Sequence, residues 1–327
     1  MTAQVESPSE DKLALTTGET GPLWGARPFF IVGAPRCGTT ALSKYLAENP
    51  DICFAKPKET HFFVIEERQL SAKDLTRRFL QRHFPGLGPE HKAVGEGSVS
   101  YLYAPEAIKR ILVSFPEARF IVMLRNPVDM IHSYHSRLLY TREEDIRDLS
   151  EAWDAQAERA QGRRVPSTCR DPRVLQYFEA GRLGSHLEAL FEAAGPERVL
   201  PLVFDDFARD PAAVYAKVLE FIGVPPDNRG AFKVKNEHRE FKHAWLQSIF
   251  MGKFGVPMTL LIRLHQSNWE LPRRLTRPLR KKIKRYNTVP AERHTLDAGM
   301  REKLATAFAP EVAKLSALIN RDLSHWR

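Results

Sequence analysis

Hydrophobic positions along the chain follow two alternating patterns. Short unbroken apolar runs occur at residues 28–32, 52–55, 93–95, 120–124 and 199–204. Runs of this length without polar alternation suit strands covered on both faces, as in a parallel sheet. Between them, apolar residues recur three or four apart: from Thr39 or Thr40 through Leu42 and Leu46 to Asn49-Pro50, then over 72–81, 105–114, 127–139, 182–193 and 211–222. That spacing lines one stripe of a helix. Strands alternating with helices predict βαβ units and an α/β fold of three layers, with a mostly parallel central sheet and helices on both faces. Residues 232–290 break the alternation, and the apolar stretch 245–264 is interrupted by Gly252, Gly255 and Pro257. A last helix is expected over 298–320, with Leu304, Phe308, Val312, Leu315 and Leu318 at helical spacing. Residues 1–26, rich in Ser, Thr, Glu and Gly, predict a disordered tail. We find no repeat and no linker, so the expectation is a single domain over 27–327 with a C-terminal elaboration at about 232–290.

Composition narrows the class. Of 327 residues, 43% are hydrophobic and 27% charged, which are ordinary globular values that exclude collagen, coiled coil and wholesale disorder. The net charge of +9 is concentrated rather than spread: residues 263–285 carry nine bases and one acid, a local +8. A chain basic throughout would suggest nucleic-acid binding; this one is close to neutral outside one patch. Cys37, Cys53 and Cys169 are odd in number and form no C-x-x-C pair, which argues against a disulfide framework and for a reducing compartment. The polar N-terminus is no signal peptide, and no apolar run is long enough to span a bilayer, so a soluble cytoplasmic protein is expected.

Three segments carry candidate chemistry. Gly33-Ala34-Pro35-Arg36-Cys37-Gly38-Thr39-Thr40 joins a strand to a helix, where backbone N–H groups and a helix N-terminus favour an anion. Its G-x4-G spacing matches a Walker A loop, but Thr39 replaces the lysine that neutralises a triphosphate. The strand at 120–124 runs into Arg125 and offers no aspartate for magnesium, which disfavours a kinase. Arg125-Asn126-Pro127 ends that strand and opens a helix, with Asn126 as N-cap, Pro127 at its first position and Ser133 eight residues beyond Arg125. Arg125 and Ser133 can reach one phosphate at the carboxyl ends of the strands, where doubly wound sheets bind ligands. Lys56-Pro57-Lys58-Glu59-Thr60-His61-Phe62-Phe63 sets a carboxylate among ammonium groups, an imidazole and two aromatic rings. Partial desolvation by Phe62 and Phe63 would raise the basicity of Glu59, while the lysines pull the other way.

Together these segments resemble the sulfotransferases that use 3′-phosphoadenosine 5′-phosphosulfate (PAPS), and within them the heparan-sulfate-type branch and its bacterial relatives. The matching stretches are GAPRCGTTAL at 33–42, KETHFF at 58–63 and RNPVDMIHS at 125–133, with weaker likeness at Gly95-Glu96-Gly97-Ser98, Tyr101 and 323–326. The resemblance implies a P-loop nucleotide-binding-like sulfotransferase fold. It further implies that Arg36, Cys37, Gly38, Thr39, Thr40 and Ala41 bind the 5′-phosphosulfate, and that Arg125 and Ser133 bind the 3′-phosphate. Glu59 would be the general base, with Lys58, His61 and Arg36 lining the same chemistry. PAPS is the implied co-substrate and 3′,5′-ADP the product, with no metal required. The implied acceptor is a small molecule, glycan or lipid with a free hydroxyl, and nucleic acid is not an expected partner. Gly97 stands where heparan-type enzymes commonly place Lys, which argues against a heparan-like acceptor.

Two other classes remain beside this one: a small-molecule kinase of related fold, and a non-catalytic protein that binds an anionic surface through the +8 window. That window admits several readings. It can hold the donor's 3′-phosphate, attract an anionic acceptor, or make a peripheral membrane contact beside the 245–264 stretch. It is equally readable as a solvated helix face with Leu275, Leu279 and Ile283 packed inward. Trp245, Trp269 and Tyr286 suit either stacking on a ring or a core.

Overall fold

The structure is a computed structural model that describes residues 25–65, 70–227, 229–232, 239–241, 286, 288–290 and 295–326. The +8 window, the 245–264 stretch, Trp245, Trp269 and most of the N-terminal tail lie outside the described residues.

Two compact units interleave along the chain. The first takes the described parts of Met1–Gly33, with Thr39–Met123 and Leu190–Phe232; the second takes Ala34–Gly38, Leu124–Ala189 and the described parts of Lys233–Arg327.

The first unit is built on a five-stranded sheet. Its strands are β1 (Arg27–Gly33), β2 (Ile52–Phe54), β3 (Ala93–Glu96), β4 (Arg119–Leu124) and β5 (Val199–Val203), in the order β2-β3-β1-β4-β5. The pairings β1–β3, β1–β4 and β2–β3 are parallel, as the alternation predicted. β1 after its first residue, all of β2 and β3, and β4 after its first residue are buried without a break. That continuous burial is the reason their sequences read as apolar runs, since neither face meets water.

Helices of this unit are α1 (Thr39–Ala47), α2 (Phe62–Ile65), α3 (Ala72–His83) and α4 (Pro105–Ser114). Ser71 caps α3 by accepting from Asp74 N, and Pro105 opens α4, where a missing N–H costs nothing. Phe30 on β1 lies within aromatic contact of Phe63, Phe79, Phe115, Phe120 and Tyr101. Each such ring, fully buried, contributes about 1.5–3 kcal/mol before entropy is counted.

The second unit holds α5 (Pro127–Thr141), α6 (Leu149–Asp154), α7 (Gln156–Ala160) and α8 (Tyr177–Gly181). From α9 (Leu183–Ala194) the chain passes back to the first unit, which contains α10 (Phe204–Arg209) and α11 (Pro211–Ile222). The second unit is completed by a two-stranded antiparallel ribbon, β6 (Arg239–Phe241) with β7 (Thr288–Pro290), and by α12 (Ala298–Leu318). Asn126 caps α5 by accepting from Val128 N, with Pro127 at the first position, as the sequence suggested. Within this unit α5 packs on α8 and α12. Phe308 of α12 stacks on Phe178 and meets Trp153 edge-on.

A buried polar knot anchors the second unit. Arg159 makes a two-pronged bond to Glu144 at 2.6 and 2.7 Å, and Tyr177 donates to the same carboxylate at 2.5 Å. Glu144 also accepts from the backbone N–H of Asp145 and Ile146. Burial pushes the Glu144 carboxyl up, but the bonds from Arg159 and Tyr177 outweigh it and hold it below the ordinary carboxylate range.

Candidate functional site

The strand–helix loop of the second unit is shaped by two left-handed residues. Arg36 has φ 66° and Gly38 φ 89°. Glycine adopts this conformation freely, whereas for arginine it is strained by about 1–3 kcal/mol and must be held by its surroundings. Those surroundings are Ser133 and Arg125. Arg36 Nε donates to Ser133 Oγ at 2.9 Å, and Arg125 Nη1 donates to the Arg36 carbonyl at 3.2 Å. Arg125 and Ser133 are buried on either side of the Asn126 cap, so strand end and helix start fix both.

Arg36, Arg125 and Ser133, distant in sequence, therefore form one cluster of two guanidinium groups and a hydroxyl. The residue set fits a phosphate: planar cationic donors and a hydroxyl bind phosphate oxygens well. Cys37 is buried and its thiol points at the Pro35 carbonyl, so only its backbone is suited to meet a ligand. The loop runs on into α1, where Thr39 is buried, Ala41 half-buried and Thr40 exposed.

The second set of expected residues gathers in the first unit. After a cis Lys56-Pro57 bond, residues 58–61 lie along the end of β3. Gly97 N donates to Lys58 O at 3.3 Å and Lys58 Nζ returns to Gly97 O at 3.0 Å. Thr60 N donates to Glu96 Oε1 at 2.9 Å, and His61 N to Ser98 Oγ at 2.8 Å. His61 sits at φ 51°, the second strained residue among the expected site positions.

Side chains on this segment converge as the sequence suggested. Glu59 Oε1 accepts from Lys58 Nζ at 2.7 Å, and Glu59 Oε2 lies 3.7 Å from His61 Nε2. The other ring nitrogen of His61 is 2.7 Å from Ser100 Oγ. Burial pushes the His61 imidazole below its ordinary value, against the pull of Glu59, so the ring is neutral at pH 7.

One expectation is corrected. Phe62 and Phe63 do not cover Glu59: both rings turn into the core against Phe79, while the Glu59 side chain is 38% exposed and faces a lysine. The first helical turn after His61 directs the two rings inward.

Sequence reasoning underrated Glu96. Only 1% exposed, it accepts from Thr60 N, Ser98 N and Ser98 Oγ. An acid between two glycines at the end of a buried strand was the available signal. Gly97 beside it is also constrained, since a Cβ there would lie 3.0 Å from Ser43 Oγ and 3.3 Å from Lys58 Cε.

A family profile described as Sulfotransferase domain matches residues 26–245. The chain belongs to the sulfotransferase family. It is 28% identical over 234 residues to the human bifunctional heparan sulfate N-deacetylase/N-sulfotransferase 3, covering 69% of this chain and 25% of that protein. A Caenorhabditis briggsae bifunctional heparan sulfate N-deacetylase/N-sulfotransferase 1 is 21% identical over 198 residues, covering 60% and 22%. The chain thus spans about a quarter of the length of the curated relatives it matches. The crystal structure of a sulfotransferase from Alicyclobacillus acidocaldarius superposes with a TM-score of 0.62 at 30% identity, covering 92% of this chain and 99% of that one. The family and the α/β sulfotransferase fold are those the sequence motifs implied. Among the described residues no helix is long and apolar enough to cross a membrane.

Proposed function

We propose that this sulfotransferase moves the sulfuryl group of PAPS in line to an acceptor hydroxyl of a carbohydrate, lipid or secondary metabolite, with Glu59 as general base. The observation that supports the donor half is the Arg36–Ser133–Arg125 cluster, which ties the 33–40 loop to the end of β4 and to α5. When bound, PAPS supplies a sulfuryl group already activated on a phosphate leaving group. Arg125 and Ser133 hold the 3′-phosphate, and residues 36–41 hold the phosphosulfate, with Arg36 tied to both through Ser133. Fixed guanidinium charge does here what magnesium does in kinases, so we propose that no metal is needed.

At the acceptor side, Lys58 occupies Glu59 Oε1, which leaves Oε2 to take the hydroxyl proton. A base so placed accelerates transfer by about 10²–10⁴-fold. The Lys58 ammonium group, anchored on the Gly97 carbonyl, stands beside the base where charge develops. His61, its imidazole pushed below the ordinary value by burial, flanks Oε2 at 3.7 Å. Cys37, Cys53 and Cys169, which form no disulfide with one another, suit a reducing, cytoplasmic setting.

Calorimetry tests the donor assignment. We expect 3′,5′-ADP to bind without magnesium and more tightly than ATP with magnesium. Tighter binding of ATP–Mg would replace this reading with a kinase.

A further inference from the structure

The base segment is held by a group that no proposed chemical step uses. Glu96 ends β3 with its carboxylate enclosed, and both oxygens are engaged by donors from Thr60 and Ser98. Ser98 works in two directions: its hydroxyl donates to Glu96 Oε1 at 2.5 Å and accepts from His61 N at 2.8 Å. The carboxylate thereby grips the backbone immediately after Glu59 at two successive residues, one directly and one through a hydroxyl. His61 is the strained residue in that grip, and a left-handed histidine persists only where its neighbours enforce it.

We propose that Glu96 is a positioning residue for the transfer reaction, its buried carboxylate acting through Thr60 and Ser98 to fix the backbone that aims Glu59 and His61. The proposal rests on the reading of Glu59 as the base. A carboxylate suits the task because it accepts on both oxygens and presents no proton to the inward-facing N–H groups. The arrangement is costly as a mere packing device, since a buried carboxylate without a cation would ordinarily be replaced by a neutral group. Burial pushes the Glu96 carboxyl up to about 7, against the bonds from Ser98 and Thr60 that favour its charged form. The grip therefore weakens as pH falls below neutrality and Glu96 takes up a proton.

Other ionisable groups around it are few. Tyr101 interacts with it electrostatically, and Lys58, Glu59 and His61 lie on the laced segment. β1 presents Phe30 at the paired position, β2 is Ile-Cys-Phe with Cys53 opposite Val94, and the charged residue of α1, Lys44, is exposed.

The test compares wild type with Glu96→Gln and Ser98→Ala in steady-state transfer from PAPS, in 3′,5′-ADP binding and in amide NMR. A base displaced by a fraction of an ångström to 1 Å predicts kcat lower by about 10–100-fold in Glu96→Gln, with the Kd for 3′,5′-ADP unchanged and the acid limb of the kcat profile altered. Ser98→Ala, which keeps the Thr60 bond, is expected to lower kcat less and serves if Glu96→Gln fails to fold. In wild type the Thr60 and Ser98 amide resonances should titrate together with a midpoint near 7, a behaviour lost in Glu96→Gln. Unchanged kcat in both variants, or Thr60 and His61 amide resonances left in place by Glu96→Gln, overturns the proposal. If wild type transfers no sulfate, the functional reading fails, and the amide spectra of the variant still decide whether Glu96 holds the segment.

Discussion

Ser133 offers the cleanest test of the donor cluster, because its hydroxyl accepts from Arg36 Nε at 2.9 Å and it lies in the helix that Arg125 leads into. In Ser133→Ala the 3′-phosphate loses one hydroxyl donor and Arg36 loses the partner that orients it. A hydrogen bond to a charged group is worth about 1.5–3 kcal/mol, so affinity for 3′,5′-ADP should fall by about 10–150-fold. The loss should be larger for 3′,5′-ADP than for 5′-AMP, which lacks the 3′-phosphate and registers only the loosened Arg36. Contact between Ser133 and Arg36 further predicts non-additivity: Arg36→Ala and Ser133→Ala together should cost less than the sum of the singles by about 0.5–3 kcal/mol. Isothermal titration of the four proteins with both nucleotides reads all of this. Equal losses for 3′,5′-ADP and 5′-AMP, or strictly additive losses, would refute the assignment of this cluster to the 3′-phosphate.

Three further outcomes concern stability. Arg159→Met leaves the fully buried Glu144 carboxylate without its cation, which should cost about 3–5 kcal/mol in urea denaturation, and Glu144→Leu in the same chain should restore much of it. Gly181→Ala drives a Cβ into two ring carbons of buried Phe308, so overpacking should destabilise by about 1–3 kcal/mol, read as a lowered urea midpoint. Glu96 has a folded value of about 7 against 4.5 for the ordinary side chain. A raised carboxyl favours the folded state at low pH, so its contribution is fully present below the ordinary value and fades by about 3 kcal/mol as pH rises from there to neutrality. The lowered histidines slope the opposite way, so the difference between wild type and Glu96→Gln, measured from pH 4.5 to 8, isolates the effect. A difference independent of pH would count against it.

Much of this architecture was legible from the chain alone, for reasons that vary by element. The sheet strands declared themselves because burial on both faces leaves few polar positions. α4 and α11 began at their prolines and ended where the apolar stripe did, with Gly223 in the left-handed conformation closing α11. By contrast, α6, α7 and α8 escaped sequence reading. They are short, and a tertiary knot of Arg159, Glu144 and Tyr177 organises their surroundings instead of a repeating stripe. The site divides in the same way. Local motifs pointed to Arg36, Arg125, Ser133 and Glu59, because a strand–helix turn, a cap and an acid beside lysines each have a sequence form. The Arg36–Ser133 bond spans 97 positions and has none. Glu96 was similarly hidden, since its importance lies in which donors the fold brings to it. Phe62 and Phe63 misled because adjacency in sequence does not say which way a helix turn will point a ring.

On the proposed mechanism, Glu59 takes the proton from an acceptor hydroxyl as the sulfuryl group leaves PAPS. Radiolabelled PAPS, incubated with a panel of hydroxyl acceptors and followed by mass spectrometry of the product, tests it in wild type and in Glu59→Gln. The wild type should yield labelled sulfate ester, and the variant a rate lower by about 10²–10⁴-fold with unchanged 3′,5′-ADP affinity. Transfer at the wild-type rate by Glu59→Gln would contradict it.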